Sequence, residues 1–283
     1  MPLSPRFTLE PVLATDFEAL LALRIRAMRP SLERLGRFDP ERARERFAAG
    51  FAPEFTRHVV VDSQRVGCVT LRHAGDAMRL DHLYIDPRHQ ARGTGRWLMR
   101  WVKAQADLRQ LPLELAALKH SDAHRFYLHH GLQVVGEGEW DLEYRRAPAA
   151  SPLDAVKALW ARYQARDWAA ARGLMRADAV AHWWTSGERF EGADAIVRVN
   201  AIYPEGWTIH VLEASLLQDG RVFSLVRVDH PPASFYATSL WGVEDGLIAE
   251  LDETWATVEE PPAWRSAQSV PGWRRFDALG AAG

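Results

Sequence analysis

The spacing of apolar residues divides the chain into two parts with different orders of elements. Up to about residue 146, short β-prone runs alternate with segments of helical period, which is typical of an α/β unit. After residue 153, helices come first and a run of strands follows, which is an α+β order. Residues 147–152 read Ala-Pro-Ala-Ala-Ser-Pro, a linker composition. The pattern predicts domains at 1–146 and 153–260, and a tail at 261–283.

The first part is expected to hold a sheet with helices between its strands. Turn residues punctuate the pattern, for example Asp39-Pro40 at a helix start and Gly131 after a helix end. The predicted helices are 15–28, 39–49, 95–108 and 121–130, and the predicted strands are 7–12, 58–61, 66–72, 78–86, 111–115, 132–135 and 139–144.

The second part is expected to hold three helices and a mainly antiparallel sheet. The helix at 153–166 has an apolar stripe that includes Leu159 and Trp160. The further predicted elements are helices at 168–175 and 193–200 and strands at 179–184, 208–217, 221–229, 234–243 and 247–257.

A glycine-containing loop joins the apolar strand at 78–86 to the helix that begins near Gly95. The first amides of a helix lack intrahelical partners, and the helix dipole favours negative charge there. Glycine lets the backbone approach a phosphate closely, and arginine pairs with phosphate oxygens. The loop therefore predicts an anion site formed by Gln90, Ala91, Arg92, Gly93, Thr94, Gly95 and Arg96.

The residues of this turn indicate which class of phosphate-bearing ligand it could bind. A dinucleotide fingerprint would need a third glycine where Leu98 stands, and the triphosphate loop G-x-x-x-x-G-K-[ST] is absent. Residues 90–95 instead resemble the Gln/Arg-x-x-Gly-x-Gly/Ala turn of the Gcn5-related N-acetyltransferases (GNAT), which grips the pyrophosphate of acetyl-coenzyme A. A strand-to-helix turn without a ligand is the alternative interpretation.

A second segment strengthens the resemblance to the GNAT family. Ala123, Phe126, Tyr127 and Gly131 keep the spacing of the family's Asn-x-x-Ala-x-x-Phe-Tyr…Gly-Phe segment. His120 stands at the asparagine position, and Leu132 replaces the final aromatic residue. The resemblance covers residues 1–146 and implies a GNAT fold with a mixed central sheet and acetyl-coenzyme A as co-substrate.

The resemblance also implies roles for individual residues. Tyr127 would protonate the departing thiolate, and the general base would lie on the strand before the loop, at Asp81 or His82, with Asp81 favoured. Strand alternation places Asp81 on one face with Leu83 and Ile85, and His82 on the other with Leu80 and Tyr84. The expected coenzyme contacts are the amides of Leu83, Tyr84 and Ile85, the loop residues 90–96, and the side chains of His120 and Phe126.

The second part resembles the cone-shaped nuclear transport factor 2-like (SnoaL-like) family. The likeness is carried by Arg166-Asp167-Trp168, His182-Trp183-Trp184, Phe190-Glu191-Gly192 and the closing segment 250–255. It implies a homodimer through this domain and a pocket at the mouth of the cone. Candidates for lining that pocket, with acid–base work for a His/Asp pair, are His182, Arg227, Asp229, His230, Asp252 and Glu253.

The composition of the chain indicates which classes of binding partner are not expected. The 283 residues are 47% apolar with a formal net charge of −2, which favours neither nucleic acid nor an anionic membrane. The single cysteine, Cys68, cannot form an internal disulfide and is expected to be a buried apolar residue, which fits a cytoplasmic protein. We expect no membrane segment, and no metal, because no ligand cluster with metal-binding spacing occurs.

Together these observations predict an acetyl-coenzyme A-dependent N-acetyltransferase that acts on the amine of an unidentified small molecule or peptide. Two alternatives stay open at this point. One is a sensor that binds acetyl-coenzyme A and a small ligand without turnover. The other places an isomerase or cyclase activity in the second domain.

Overall fold

The structure is a computed structural model that describes residues 7–277, so the last residues of the predicted tail, 278–283, lie outside the described residues. The chain divides into two compact units. The first comprises Met1–Ser151 with Gln218–Gly220, and the second comprises Pro152–Leu217 with Arg221–Gly283. No helix within the described part of the chain is both long and apolar enough to cross a membrane.

The first unit contains a seven-stranded sheet in the order β1-β2-β3-β4-β5-β7-β6. All neighbours are antiparallel except β4 and β5, which are parallel. Its elements are β1 (Phe7–Pro11), α1 (Phe17–Arg34), α2 (Pro40–Gly50), β2 (Thr56–Val61), β3 (Gln64–Ala74), β4 (Ala77–Ile85), α3 (Thr94–Leu108), β5 (Leu113–Leu118), α4 (Ala123–His129), β6 (Gln133–Glu137) and β7 (Asp141–Arg146).

Two apolar clusters lie in the first unit. One gathers the buried stripe of α3, including Leu98 and Val102, against residues of the central strands. The other contains Leu20, Phe47 and Cys68, from α1, α2 and β3. Cys68 is 1% exposed, and burial raises the pKa of its thiol to about 12, so its expected role as a small apolar residue fits its surroundings.

A β-bulge at Asp81 corrects the alternation predicted for β4. Thr70 pairs with His82 and Leu71 pairs with Leu80, so Asp81 is the extra residue on its strand. Leu80 joins the cluster with α3, whereas His82 packs against Phe47 on the other side. The prediction that His82 shares a face with Leu80 was therefore wrong, because one inserted residue reverses the parity of the strand.

Strands β4 and β5 separate beyond the bulge. They pair at only three positions, Met78–Leu80 with Leu113–Leu115, although both strands continue further. Strand β5 begins two residues later than predicted, after Pro112, which has no N–H to donate to a sheet. This separation opens one edge of β4 beside the loop that follows it.

A buried ion pair attaches the last strand to α3. The two guanidinium nitrogens of Arg146 donate to the two carboxylate oxygens of Asp107 at 2.7 and 3.0 Å, and the Ala149 N–H donates to Asp107 Oδ1 at 2.8 Å. Asp107 is 2% exposed. Because both oxygens are bonded, the charge is compensated where water cannot reach it.

The second unit contains a six-stranded sheet in the order β10-β11-β12-β13-β8-β9, with β13 and β8 parallel and the other neighbours antiparallel. Its elements are α5 (Pro152–Gln164), α6 (Trp168–Gly173), β8 (Met175–Trp183), β9 (Glu188–Glu191), α7 (Ala193–Ala201), β10 (Thr208–Leu216), β11 (Val222–Asp229), β12 (Phe235–Glu244) and β13 (Leu247–Thr257). Both sheets are mixed, and the predicted α/β (α+β) class is confirmed.

One face of the second sheet packs on the helices. Trp160 of α5 meets Trp241 of β12 edge to face, and both indoles donate to Ser224 Oγ, at 3.3 and 2.8 Å. Strand β8 begins at Met175 rather than near residue 179, because Met175 pairs with Ile248 and both side chains enter the core. Aromatic residues therefore form much of this core.

Candidate active site

The turn between β4 and α3 is shaped by left-handed backbone at two positions. Ala91 has a φ of 57° and Gly93 has a φ of 83° at the N-cap of α3. Asp86 holds the start of the turn, since its carboxylate accepts from the N–H and the guanidinium of Arg88. These bonds, with Arg26 nearby, hold the pKa of the Asp86 carboxyl well below its usual range.

The amides at the start of α3 point out of the helix. Trp97 N–H donates to the Gly93 carbonyl at 3.0 Å, so the helical bonds begin only after the first turn. The Gln90 side chain turns back and donates to the Ile85 carbonyl at 3.0 Å. The loop therefore presents the positive end of a 15-residue helix, with Arg92 and Arg96 exposed beside it.

Gly95 has a packing role that the sequence reasoning did not assign. A Cβ at this position would lie 3.2 Å from Cε2 of Phe126, which is closer than ordinary contact. The missing side chain lets α4 approach the first turn of α3. The motif glycine thus shapes the wall of the cleft as well as the loop.

A cleft of about 490 Å³ opens beside this turn. It brings together residues from β4, the loop and α4, as well as α1 and β5. The predicted site residues that line it are Asp81, Leu83, Tyr84, Ile85, Gln90, Ala91, Gly95, Phe126 and Tyr127. The predicted residues outside its lining are Arg92, Gly93, Thr94, Arg96 and His120.

Tyr127 is the buried phenol of the cleft. It is 8% exposed, packs edge to face with Phe126, and lies beside Tyr144 with ring centroids 5.5 Å apart. Burial, together with the neighbouring phenols of Tyr84 and Tyr144, raises the pKa of Tyr127. The phenol is therefore protonated at neutral pH and is available as a hydrogen-bond donor.

Asp81 lies at the bulge between two arginines. Arg72 Nε donates to its Oδ2 at 2.5 Å, and Arg79 Nε donates to its Oδ1 at 3.1 Å. Each oxygen keeps a lone pair for a further partner. The carboxylate is thus oriented from its own sheet while still lining the cleft.

Tyr84 is held by a network that the sequence reasoning missed. Arg24 Nε, from α1, donates to Tyr84 Oη at 3.1 Å, and Tyr84 Oη lies 3.2 Å from His82 Nδ1. Burial and the nearby Arg24 charge lower the pKa of His82, and burial raises the pKa of Tyr84. Arg24 and Tyr84 are 60 residues apart, so no local pattern could have linked them.

His120 stands at the family's asparagine position but does not line the cleft. It is exposed, and its φ is 57°, a left-handed conformation that asparagine and histidine adopt more readily than most residues. Histidine is therefore compatible with the backbone conformation at this position. The predicted coenzyme contact of its side chain stays a prediction.

The second unit places its predicted pocket residues differently from the expectation. His182 Nδ1 lies 3.2 Å from Asp252 Oδ1, and His210 Nε2 lies 2.9 Å from Asp229 Oδ2. The unit has a cavity of about 320 Å³ with mostly aromatic walls, and none of the candidates lines it; they are His182, Arg227, Asp229, His230, Asp252 and Glu253. Asp252 is half-exposed because it alternates along β13 with the buried Leu251 and Glu253, and a pocket lined by the six candidates stays a prediction.

Neither a metal-ligand cluster among the described residues nor a matching curated protein was found. Among residues 7–277, no group of three or more His, Cys, Asp or Glu side chains could hold a metal ion. No curated protein matches the chain.

Several solved structures are similar to parts of the chain. One is the PaiA N-acetyltransferase of Thermoplasma acidophilum in complex with coenzyme A, at 14% identity over 50% of this chain and 99% of that one, with a TM-score of 0.44. Another is a putative ketosteroid isomerase of Kribbella flavida, at 22% identity over 45% and 91%, with a TM-score of 0.39. A third is an NTF2-like protein of unknown function from Burkholderia xenovorans, at 18% identity over 44% and 95%, with a TM-score of 0.35.

The family comparison concerns the unit that contains the cleft. Residues 54–134 match the family model described as the acetyltransferase (GNAT) domain. The matched segment includes β4, the Gln90–Gly95 turn, α3, β5 and α4, which line the cleft together with α1. The first unit therefore contains an acetyltransferase domain of the GNAT family.

Proposed function

We propose that the protein is an acetyl-coenzyme A-dependent N-acetyltransferase that acts on the amine of a small molecule or peptide. The observation that carries the proposal is that one cleft joins the N-terminal end of α3, the open edge of β4 and the Tyr127 phenol. An anion-binding turn, free backbone and a proton donor are the three groups that this transfer requires.

The loop fits the diphosphate arm of the coenzyme. The amides at the start of α3 would bind its oxygens, with the exposed Arg92 and Arg96 close enough in sequence to add charge. When bound, the coenzyme supplies an activated acetyl thioester. The cleft itself binds and orients the two reactants. This positioning accounts for the larger share of the rate enhancement in such a reaction.

Tyr127 would act on the leaving sulfur by donating a hydrogen bond. A thiol has a pKa of about 8.5, which is lower than that of a buried phenol, so complete transfer of the phenolic proton would be uphill. The hydrogen bond still stabilises the negative charge that develops on sulfur. This refines the general-acid role that the resemblance implies.

Asp81 would receive the acceptor amine. An amine with a pKa near 10.4 is mostly protonated at neutral pH and must lose a proton before it attacks. The oriented carboxylate can bind the ammonium and accept that proton directly or through a water.

The test is thiol release from acetyl-coenzyme A with a broad amine panel, using the full chain. We expect turnover with at least one amine, and we expect Tyr127→Phe to lower kcat by about tenfold or more. Tyr163→Phe is the control, because it removes a buried phenol of the second unit that does not line the cleft and should change kcat less than twofold.

Two results would count against the proposal in different ways. Binding of acetyl-coenzyme A in calorimetry without turnover by any amine would support the sensor alternative. Equal values of kcat in the Tyr127 and Tyr163 variants would remove the role of Tyr127 but leave the transferase.

A further inference from the structure

An ion pair joins two sides of the cleft in the first unit. The cleft is lined on one side by α1, which contributes Ser31 and Arg34, and on another by Asp122 and Asp141, at the starts of α4 and β7. Arg34 Nη2 lies 3.6 Å from Asp122 Oδ2, so the pair links lining residues from both sides. Both side chains are more than half exposed, so this pair alone would contribute little to holding the two sides together.

A cation–π contact joins the same two sides next to the ion pair. The guanidinium carbon of Arg37 lies 3.3 Å from the centroid of the Trp140 ring. Arg37 follows Arg34 by three residues, and Trp140 directly precedes Asp141, which lines the cleft. The end of α1 is thus attached at two points to the elements beside it.

The end of α1 fixes the position of Arg37. The Arg37 N–H donates to the Leu32 carbonyl, and the Gly36 N–H donates to the Glu33 carbonyl, both at 2.9 Å. Gly36 has a φ of 64°, as the residue after a helix end has in this type of C-cap. The cap therefore directs the chain out of the helix so that Arg37 reaches the turn between β6 and β7.

The turn between β6 and β7 is held in a similar way by its own backbone. The Trp140 carbonyl accepts from the Lys119 N–H at 2.9 Å, just after the end of β5. The Gly138 N–H donates to the Asp141 carbonyl, also at 2.9 Å. The indole that meets Arg37 is therefore presented by ordered backbone on its side of the cleft.

The size of the cleft also bears on the acceptor. Its volume of about 490 Å³ lies in the range of small-molecule sites. In the proposed function, the acetyl-bearing arm of the coenzyme takes part of this space and the acceptor takes the remainder. A peptide acceptor carries a chain that extends about 3.3–3.6 Å for each residue, so it must leave the cleft through an opening.

We propose that the contact between Arg37 and Trp140 determines acceptor specificity by closing the cleft at the end of α1, so that the acceptor is a small free amine and not a peptide. The closure acts against the longer acceptor by steric exclusion, and it adds nothing to the binding of the shorter one. This inference rests on the proposed function of the first unit, because it narrows the substrate of the same cleft.

The test measures binding, so it does not require turnover. Two conjugates are prepared in which the coenzyme A sulfur is joined through an acetyl bridge to the nitrogen of propylamine or to the N-terminal nitrogen of hexaalanine. Their affinities for the full chain are measured by calorimetry. We expect the propylamine conjugate to bind wild type at least about tenfold more tightly, a difference of about 1.4 kcal/mol.

Variants at the closure should change the affinity for only one conjugate. Trp140→Ala should raise the affinity for the hexaalanine conjugate by about tenfold and leave that for the propylamine conjugate within about twofold. Arg37→Gln removes the cation and leaves the turn intact, so it should act in the same direction. Circular dichroism and thermal melts establish that the variants are folded.

The matched control is Trp264→Ala in the second unit. Trp264 is 69% exposed and also has an arginine near its ring, since the guanidinium carbon of Arg265 lies 5.2 Å from the ring centroid. It does not line the cleft, so its removal should leave both affinities unchanged.

Each outcome separates the specificity proposal from the proposed function. A gain for the hexaalanine conjugate alone, in the Trp140 and Arg37 variants, supports the specificity proposal. Equal binding of the two conjugates by wild type, or an unchanged ratio in both variants, would overturn it and leave the proposed function standing. Weaker binding of both conjugates in the Trp140 variant would also overturn it, because Trp140 would then support the cleft and not close it. If wild type binds neither conjugate, the proposed function fails and the specificity proposal fails with it.

Discussion

Replacement of Glu253 by glutamine should change how the stability of the second unit depends on pH. Glu253 is fully buried on β13, and its pKa is raised from 4.5 to about 7 by burial. The folded unit therefore holds this proton at pH values where the unfolded chain has already released it. Glutamine has nearly the same shape but cannot ionise, so it removes this single titration.

The sign and size of the effect follow from proton linkage. Below about pH 4.5 the carboxyl is protonated in both states, and above about pH 7 it is ionised in both. Between these values the folded state binds more protons than the unfolded state, so the free energy of unfolding falls as pH rises. A pKa difference of about 2.5, at about 1.36 kcal/mol for each pH unit, gives a loss of about 3 kcal/mol for the wild-type chain.

The assay is urea unfolding of wild type and Glu253→Gln from pH 5 to pH 8, followed through the buried tryptophans of the second unit. The difference between the two chains cancels the titration of other groups, and the variant should gain about 3 kcal/mol relative to wild type toward pH 8. Glu213→Gln, which removes an exposed glutamate on β10, is the matched control. A difference that stays within about 0.5 kcal/mol across the range would refute the assignment of a neutral carboxyl.

Two further predictions concern the first unit. Gly67→Ala should destabilise it by about 1–3 kcal/mol, because the new Cβ would lie 2.5 Å from the carbonyl oxygen of Tyr84; thermal unfolding measures this, and an unchanged Tm would show that β3 and β4 can separate without cost. Asp107→Asn should cost about 3–5 kcal/mol, because Arg146 would keep a buried charge without its carboxylate; urea unfolding measures this, and a loss below about 1 kcal/mol would mean that the guanidinium finds water or another partner.

The loop and its helix could be predicted from sequence because the signals are local. The strand, the Gln90–Gly95 turn and the apolar stripe of α3 occupy consecutive residues, and each follows from spacing or from a glycine. The observed ends of some elements differ from the predicted ends by a few residues, because pairing with a distant strand sets them. Strand β8, for example, begins at Met175, which pairs with Ile248. The homodimer and the cytoplasmic location stay predictions.

The environment of Tyr84 could not be predicted, because its partners come from distant parts of the chain. Arg24 reaches its hydroxyl from α1, and this contact depends on how the helix lies across the sheet. The bulge at Asp81 was hidden for a related reason. It exists only relative to the partner strand, where Thr70 and Leu71 face three residues of β4.

Parity along a strand also separates the acid–base candidates that the sequence placed together in the second unit. Asp252 and Glu253 are adjacent, so their side chains point to opposite faces of the sheet. Asp252 bonds to His182 where both side chains are about 40% exposed, whereas Glu253 is buried with Ser239. A His/Asp pair is the more familiar acid–base signal, but water solvates it here. The group with the strongly raised pKa is the carboxyl one residue later, which has no histidine partner and draws its shift from burial. A raised pKa on a buried carboxyl is a more specific sign of functional chemistry than an exposed His/Asp pair, so acid–base chemistry in this unit is to be tested first on the buried side of β13.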